Sequence, residues 1–507
     1  MHIAFLNPQG NFDAQDSHWS AHPDFGGQLV YVKQLALAVG EMGHRVDILT
    51  RQIVDPQWPE FAGHFDAYPG APNVRVVRLP AGPPHFLPKE ELWPHLVRDW
   101  VPNILAFYRQ EGDLPDAMTA HYGDGGVSAV LIEERTGVPF TFTAHSLGAQ
   151  KMDKLGVTPA NLAKLDARYR FARRLVAERL SMNRAAVNVV STRLERWEQY
   201  AHRAYRGAVD VHDDRRFAVI PPGVDLRVFD AHARAPDEEA VYRRVRERLA
   251  RDLAPARRDL PAIVASSRLD PKKNHAGLLR AYAQSPRLQE RANLVLITGA
   301  LDDPLHAPPP LNTGSGGWSH PAEREVLAEL RALVDAHDLW GKISAFALQG
   351  QPALAAAYRY FAARGSVFAL TAFYEPFGLA PLEAAAAGLP VVVTKNGGPS
   401  ESLREGEVEY GVLVNPEDPA DIARGLERLL CDAEAWQTFA RRGRQRVLER
   451  YTWVCTAQGY VALLKEVVAA PTARRPARLL PIHPYFRDPR PENDVSLREL
   501  EHLYFPK

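Results

Sequence analysis

Val367-Phe368-Ala369-Leu370 leads through a short loop into Glu375-Pro376-Phe377-Gly378-Leu379-Ala380-Pro381-Leu382-Glu383. An apolar run of strand length, then an alanine- and leucine-rich segment, predicts a strand–loop–helix unit with Pro381 in the first helical turn. Two carboxylates stand eight residues apart, Glu375 in the loop and Glu383 inside the helix. The N–H groups of Gly378 to Ala380 lie near the helix start, where unpaired donors and the helix dipole attract phosphate. Glu375 can accept hydrogen bonds from hydroxyls, and Glu383, one turn on, can hold a neighbouring pair of them. Read alone, the stretch is equally a capped helix with one solvated glutamate.

The same alternation extends outward. In this half of the chain, strands are expected near 261–267, 293–297, 343–346, 390–394 and 412–414. The first half repeats the pattern at 3–7, 45–50, 74–79, 117–121, 139–144, 187–191 and 217–220. Between them lie helical periodicities, at 28–42 (Leu29, Val32, Leu35, Ala36, Val39, Met42) and 166–182. Such βα alternation predicts parallel, doubly wound sheets. Ile220-Pro221-Pro222-Gly223-Val224 is a stiff punctuation between the halves. The expectation is an α/β chain of two Rossmann-like domains facing a cleft. Residues 1–222 form the first domain, with the tail 471–507 a candidate to complete it, and 223–470 form the second. The charged stretch 231–259 and the end 494–504 read as helical, and the Pro/Gly-rich stretch 301–322 as a long mobile loop.

Composition excludes several classes. The 507 residues exceed one ordinary domain, and 46% apolar residues suffice for a sizeable core. Sixty-one basic residues balance 61 acidic ones, so neither nucleic acid nor a membrane surface is an expected partner. Two cysteines, Cys431 and Cys455, build neither a disulfide framework nor a zinc site. The N-terminus reads as a strand rather than a signal peptide, and no apolar run approaches membrane-spanning length, so a cytoplasmic enzyme is expected. Only 11 residues are lysine, yet Lys89, Lys151, Lys272 and Lys273 all fall in or near the motifs below.

Ser266-Ser267-Arg268-Leu269-Asp270-Pro271-Lys272-Lys273-Asn274 follows the first strand of the second half. Open α/β sheets bind ligands at the carboxyl ends of their strands. A forked arginine and a point-charge lysine five residues apart suit a diphosphate there, although a solvated surface turn would read the same. In the first half, Gly26-Gly27-Gln28 opens a helix after a long loop, 8–25; the glycines allow a close backbone approach and Gln28 can bond hydroxyls. Lys89 lies in Leu87-Pro88-Lys89-Glu90-Glu91-Leu92-Trp93-Pro94, Lys151 shortly after His145, and Arg174 and Arg179 on the 166–182 helix. Singly, such charges are more often solvated, and a strand-end histidine is more often structural.

Taken with His121-Tyr122-Gly123-Asp124-Gly125-Gly126 and His145-Ser146-Leu147-Gly148, these motifs carry a resemblance. Glu375 to Glu383 matches the E-x7-E pattern of retaining glycosyltransferases with the GT-B fold, and the five motifs in order resemble bacterial sucrose-phosphate synthases from about residue 2 to 465. Ala144 stands where that family leads one to expect glycine.

The resemblance implies a retaining transfer of glucose from UDP-glucose to fructose 6-phosphate, giving sucrose 6-phosphate and UDP. It implies Arg268, Lys273, His145 and Glu375 as catalytic residues, with His145 near the reacting carbon. Donor contacts would come from Gly27, Ser267, Arg268, Lys273, Phe377, Gly378, Leu379 and Glu383. Acceptor contacts would come from Gly26, Gln28, Lys89, Lys151, Arg174 and Arg179. The chain contains no Asp-x-Asp motif, so no essential cofactor is expected and Mg²⁺ would be at most stimulatory. Sucrose synthase acting on free fructose, mannosylfructose-phosphate synthase using GDP-mannose, a nucleotide-sugar epimerase of the same fold and a silent sugar-nucleotide sensor are the alternatives. The nucleobase and the oligomeric state stay open.

Overall fold

The computed structural model describes residues 1–19, 26–299, 301–306 and 321–505. Parts of two predicted loops, 20–25 and 307–320, and the last two residues of the tail lie outside the described residues. The chain divides into two compact units, Met1–Pro221 with Trp453–Lys507, and Pro222–Thr452.

In the first unit eight strands form one sheet: β1 His2–Leu6, β2 Arg45–Arg51, β3 Phe65–Ala67, β4 Val74–Leu79, β5 Ala117–His121, β6 Phe140–Thr143, β7 Val187–Val190 and β8 Phe217–Val219. Their order is β3-β4-β2-β1-β5-β6-β7-β8, and every pair is parallel except β3 with β4. β1 and β5 are buried along their whole length, as expected of parallel strands covered on both faces. Strand order reverses at β1, which has β2 on one side and β5 on the other, so ligand-binding loops are expected at its carboxyl end.

The second unit carries β9 Ala262–Ser266, β10 Asn293–Thr298, β11 Ile343–Ala347, β12 Val367–Leu370, β13 Val391–Thr394, the short hairpin β14 Arg404–Glu405 and β15 Val408–Glu409, and β16 Val412–Val414. The main sheet is wholly parallel, ordered β11-β10-β9-β12-β13-β16, and its reversal lies between β9 and β12. Those two strands feed the 266–274 turn and the 371–378 loop. No helix among the described residues is long and apolar enough to cross a membrane.

Several expectations need correction. The return to the first unit comes at Trp453, well before residue 471. The helix Trp453–Ala469 buries Trp453, Ala457, Tyr460, Val461 and Leu464 in the cluster that holds Ile3, Leu29 and Val32, and Tyr31 Oη donates to Tyr460 Oη at 3.0 Å. The tail adds Tyr485, Phe486, Leu500 and Tyr504 to that unit's other cluster, and Arg173 grips Asp494 at 2.9 and 2.7 Å. The segment 166–182 is two helices, Leu162–Tyr169 and Phe171–Arg184, broken at Arg170 with φ 52°. That turn lets Phe171 and Leu175 enter the core. In 231–259 the α-helix is confined to Glu238–Asp252, and the short pieces β3, β14 and β15 escaped the sequence reading.

The glycines of 121–126 do their packing behind the strand ends. A Cβ at Gly125 would lie 2.5 Å from the Leu6 carbonyl oxygen, whereas one at Gly27 would meet nothing within 4 Å. Gly125→Ala should therefore cost about 1–3 kcal/mol, read as a lower urea midpoint, while Gly27→Ala should change stability by less than about 0.5 kcal/mol. Equal stability of the two variants would refute the close packing of the helix Tyr122–Thr136, which carries Gly125, on β1.

Candidate active site

The second unit's site grows from the two loops beside the strand-order reversal. Asn274, after β9, has φ 55° and is buried; its Nδ2 donates to the carbonyls of Thr371 (3.0 Å) and Pro416 (2.8 Å). Phe373 N–H donates to Lys272 O at 2.9 Å. The β9 turn and the β12 loop are thus tied together. Lys273 Nζ, projecting from that turn, reaches Glu375 Oε2 at 2.7 Å. Arg268 is exposed, and its carbonyl accepts from Asp270 N–H at 2.8 Å, which tightens the turn. Ser267 Oγ lies 3.0 Å from Nε2 of buried His275, whose pKa burial lowers to about 4.

The Glu375 loop rests on a segment that the sequence reading passed over, Asn396-Gly397-Gly398-Pro399. Glu375 N–H donates to Asn396 O (3.1 Å) and Gly398 N–H to Glu375 O (2.9 Å). A Cβ at Gly397 would sit 2.2 Å from Glu375 O, and one at Gly398 2.5 Å from Phe377 Cα. Only glycines allow this approach; the Asn-Gly-Gly-Pro run after a strand was the available signal. Gly378 turns into the helix Leu379–Ala386 with φ 91° and no side-chain cap, leaving first-turn donors open. Leu379 begins that helix, and Phe377 packs at 6.0 Å against Tyr451. Burial pushes the Glu383 carboxyl up to about 7, and its charge is felt by the buried Tyr358 hydroxyl. This half offers two arginine/lysine charges, a helix start and two carboxylates in different environments, which suits a sugar diphosphate.

The first unit's site lies at the ends of β1, β5 and β6. Gly26 and Gly27 open the helix Gly27–Glu41; both are exposed, and a Cβ on either would meet nothing within 4 Å among the described residues. Gln28 Oε1 accepts from Nε2 of Gln9, a buried residue after β1 that the sequence reading missed. His145 follows β6 with φ 56°, and its Nε2 is 2.9 Å from Nδ1 of His121 at the end of β5. Burial lowers the pKa of His145 to about 4, so it is neutral near pH 7.

Of the four predicted basic residues, Arg174 is buried and already committed. Its Nε donates to Glu178 Oε1 (2.8 Å), its Nη2 to Ser146 O (2.8 Å) and Oγ (3.1 Å), and it lies over the Tyr122 ring at 4.8 Å. Glu178 also accepts from Gly148 N–H at 2.9 and 3.0 Å, so Arg174 and Glu178 together brace the His145 loop. Lys89 lies 3.8 Å from Glu90. Burial raises the Asp124 carboxyl to about 7 against the pull of the Gly125 N–H, Arg174 and Lys89. Lys151 stands 4.1 Å over the Tyr169 ring. Arg179 does not join them: its Nη1 donates to the carbonyls of Ala204 and Arg206, and it lines the groove against the tail. Five residues along one helix rotate the side chain by about 140°, too far to share a face with Arg174. Elsewhere, Asp252, Asp303 and His306 converge as metal ligands could, but Arg251 bonds Asp252 at 2.5 and 2.8 Å, so the group reads as an ion-pair network.

Comparison with known proteins agrees with this architecture. The family model "Glycosyl transferase 4-like domain" matches residues 26–223 and "Glycosyl transferases group 1" matches 250–446. A protein of Thermosipho melanesiensis named a probable sucrose-phosphate synthase is 41% identical over 472 residues, 93% of this chain and 98% of that one. The sucrose-phosphate synthase of Spinacia oleracea is 29% identical over 520 residues, and the chain spans about half of its length, 47%. Among solved structures, a sucrose-phosphate synthase from Thermosynechococcus elongatus superposes with TM-score 0.63 at 25% identity, over 93% of this chain and 100% of that one. An Anabaena HepE complex with UDP and glucose shares the fold, with TM-score 0.57 at 17% identity over 92% of this chain and 99% of that one. The chain belongs to the sucrose-phosphate synthase family, hexosyltransferases of the GT-B fold.

Proposed function

We propose that the enzyme transfers glucose from UDP-glucose to fructose 6-phosphate with retention, releasing UDP and sucrose 6-phosphate. The observation that carries this reading is the Lys273–Glu375 pair beside exposed Arg268, at the strand-order reversal of the second unit. A glucosyl donor brings both hydroxyls and a diphosphate, and that trio answers both needs. Arg268 and Lys273 meet the charge that grows on the diphosphate as the glycosidic bond breaks. Glu375, held by Lys273, serves as a hydroxyl acceptor rather than a nucleophile, which favours a front-face route. The acceptor hydroxyl attacks on the side from which the diphosphate departs, and a departing phosphate oxygen takes its proton. Fixed positive charge from Arg268 and Lys273 makes an essential Mg²⁺ unnecessary.

Acceptor recognition rests on Lys89 and Lys151. Arg174 contributes mainly by bracing the loop after β6, and Arg179 is left out of the acceptor set. The donor base is taken as uracil by analogy with the UDP-bound HepE structure and the family.

The product test is direct. UDP-glucose and fructose 6-phosphate, incubated in chelator, should yield UDP and a phosphorylated disaccharide whose glucosyl anomeric proton shows the α configuration by NMR. A β-linked product, or activity that returns only with Mg²⁺, would contradict the mechanism.

The raised Glu383 pKa gives a second test. A carboxyl titrating at about 7 is mostly protonated at pH 6, and only its ionised form accepts from both ribose hydroxyls. UDP-glucose affinity, measured calorimetrically without acceptor, should fall by up to about 10-fold between pH 8 and pH 6. The donor's diphosphate diester does not titrate there. Glu383→Gln should bind weakly and flatten the profile; a flat profile in the parent enzyme would remove Glu383 from the ribose site.

A further inference from the structure

His121 and His145 stand at the ends of neighbouring strands, with His121 in register with Thr143. The backbone at His145 is strained. Its φ is 56°, and Ser146 N–H closes back on Ala144 O at 2.6 Å, a tight turn of the kind non-glycine residues avoid. Three contacts hold that turn: Arg174 on Ser146 O, Glu178 on Gly148 N–H, and the edge of Tyr31 against the His145 ring at 4.9 Å. Tyr31 is itself fixed through Tyr460, whose hydroxyl is 2.7 Å from Thr143 Oγ1.

Within this frame His121 is wholly buried. Its ring stacks on Phe5 (5.8 Å, 17°), its Nε2 lies 3.2 Å from Thr119 Oγ1, and its Nδ1 lies 2.9 Å from His145 Nε2. Both ring nitrogens therefore face protein atoms, and His121 is closed to a bound sugar. His145 is partly exposed, and with Nε2 engaged, the nitrogen left for a ligand is Nδ1.

We propose that His121 is a positioning residue: by bonding Nε2 of His145 it fixes that ring's orientation and tautomer, so that Nδ1 is the atom presented to the transferred sugar. This rests on the reading of His145 as a residue facing the transferred glucose. Burial lowers the pKa of both rings, so the pair is neutral and shares one hydrogen between the two nitrogens. The hydrogen bond on one nitrogen of a histidine sets what the other can do. Thr119 Oγ1 meets the far nitrogen of His121 and His145 Nε2 the near one, so the buried ring is held at both ends and its contact with His145 is kept.

The test is the two-bond proton–nitrogen spectrum of histidine-labelled protein near neutral pH, with the His145 signals assigned by their loss in His145→Gln. Wild type should show His145 as one neutral tautomer. In His121→Phe, which keeps the stack on Phe5, its two nitrogen shifts should move to the averaged values of a free imidazole. The same variant should lose roughly 10- to 100-fold in kcat with little change in UDP-glucose affinity, and His121→Asn, which can still bond Nε2, should recover part of it. Averaged tautomers in wild type, or an unchanged His145 signal in a folded His121→Phe protein, would overturn the proposal. The spectrum reads the tautomer without turnover, so a failure of the assigned reaction is distinguishable from a failure of this inference.

Discussion

A parallel sheet covered on both faces leaves its polar loops little choice of outlet. Strands such as β1 and β5 are apolar and buried throughout, so the groups that must meet a ligand gather where the strands end and their order reverses. This constraint operates twice in the chain. Lys273, Arg268 and Glu375 stand at the reversal of one sheet, and Gln28, His121 and His145 at the ends of the strands beside the reversal of the other.

Loops crowded at such a place must be tied without the sheet's hydrogen bonds. Buried polar side chains do this: Asn274 bonds Thr371 and Pro416, and Glu178 bonds Gly148 and Arg174. Three non-glycine residues there, Tyr122, His145 and Asn274, have φ between 55° and 69°. Each such conformation costs about 1–3 kcal/mol and persists only where its surroundings over-determine it. The strain is spent on aim: it turns Asn274 into a bridge between loops and sets the His145 ring against His121.

Strand positions were legible because buried parallel strands are short apolar runs set between helical patterns. The Glu375–Glu383 unit was legible for the same reason, its two carboxylates standing out beside a strand of pure apolar residues. Long-range pairing was not. Nothing local in Trp453–Ala469 says that it packs on the helix Gly27–Glu41 rather than on the second unit, and Tyr31–Tyr460 joins residues 429 apart in sequence. Charge function was also hidden. Arg174 and Arg179 look alike in sequence, yet the first is buried on Glu178 and the second caps carbonyls of another loop. Gly397 and Gly398 read as an ordinary turn until the Glu375 loop is seen resting on them.

On the function proposed above, the acceptor carries a phosphate that Lys89 and Lys151 recognise. The most direct measurement is the ratio of kcat/KM for fructose 6-phosphate to that for fructose, with UDP-glucose as donor. One charge-assisted phosphate contact is worth about 1.5–3 kcal/mol, so a ratio of at least about 10 is expected. A ratio at or below unity would mean that Lys89 and Lys151 recognise no acceptor phosphate.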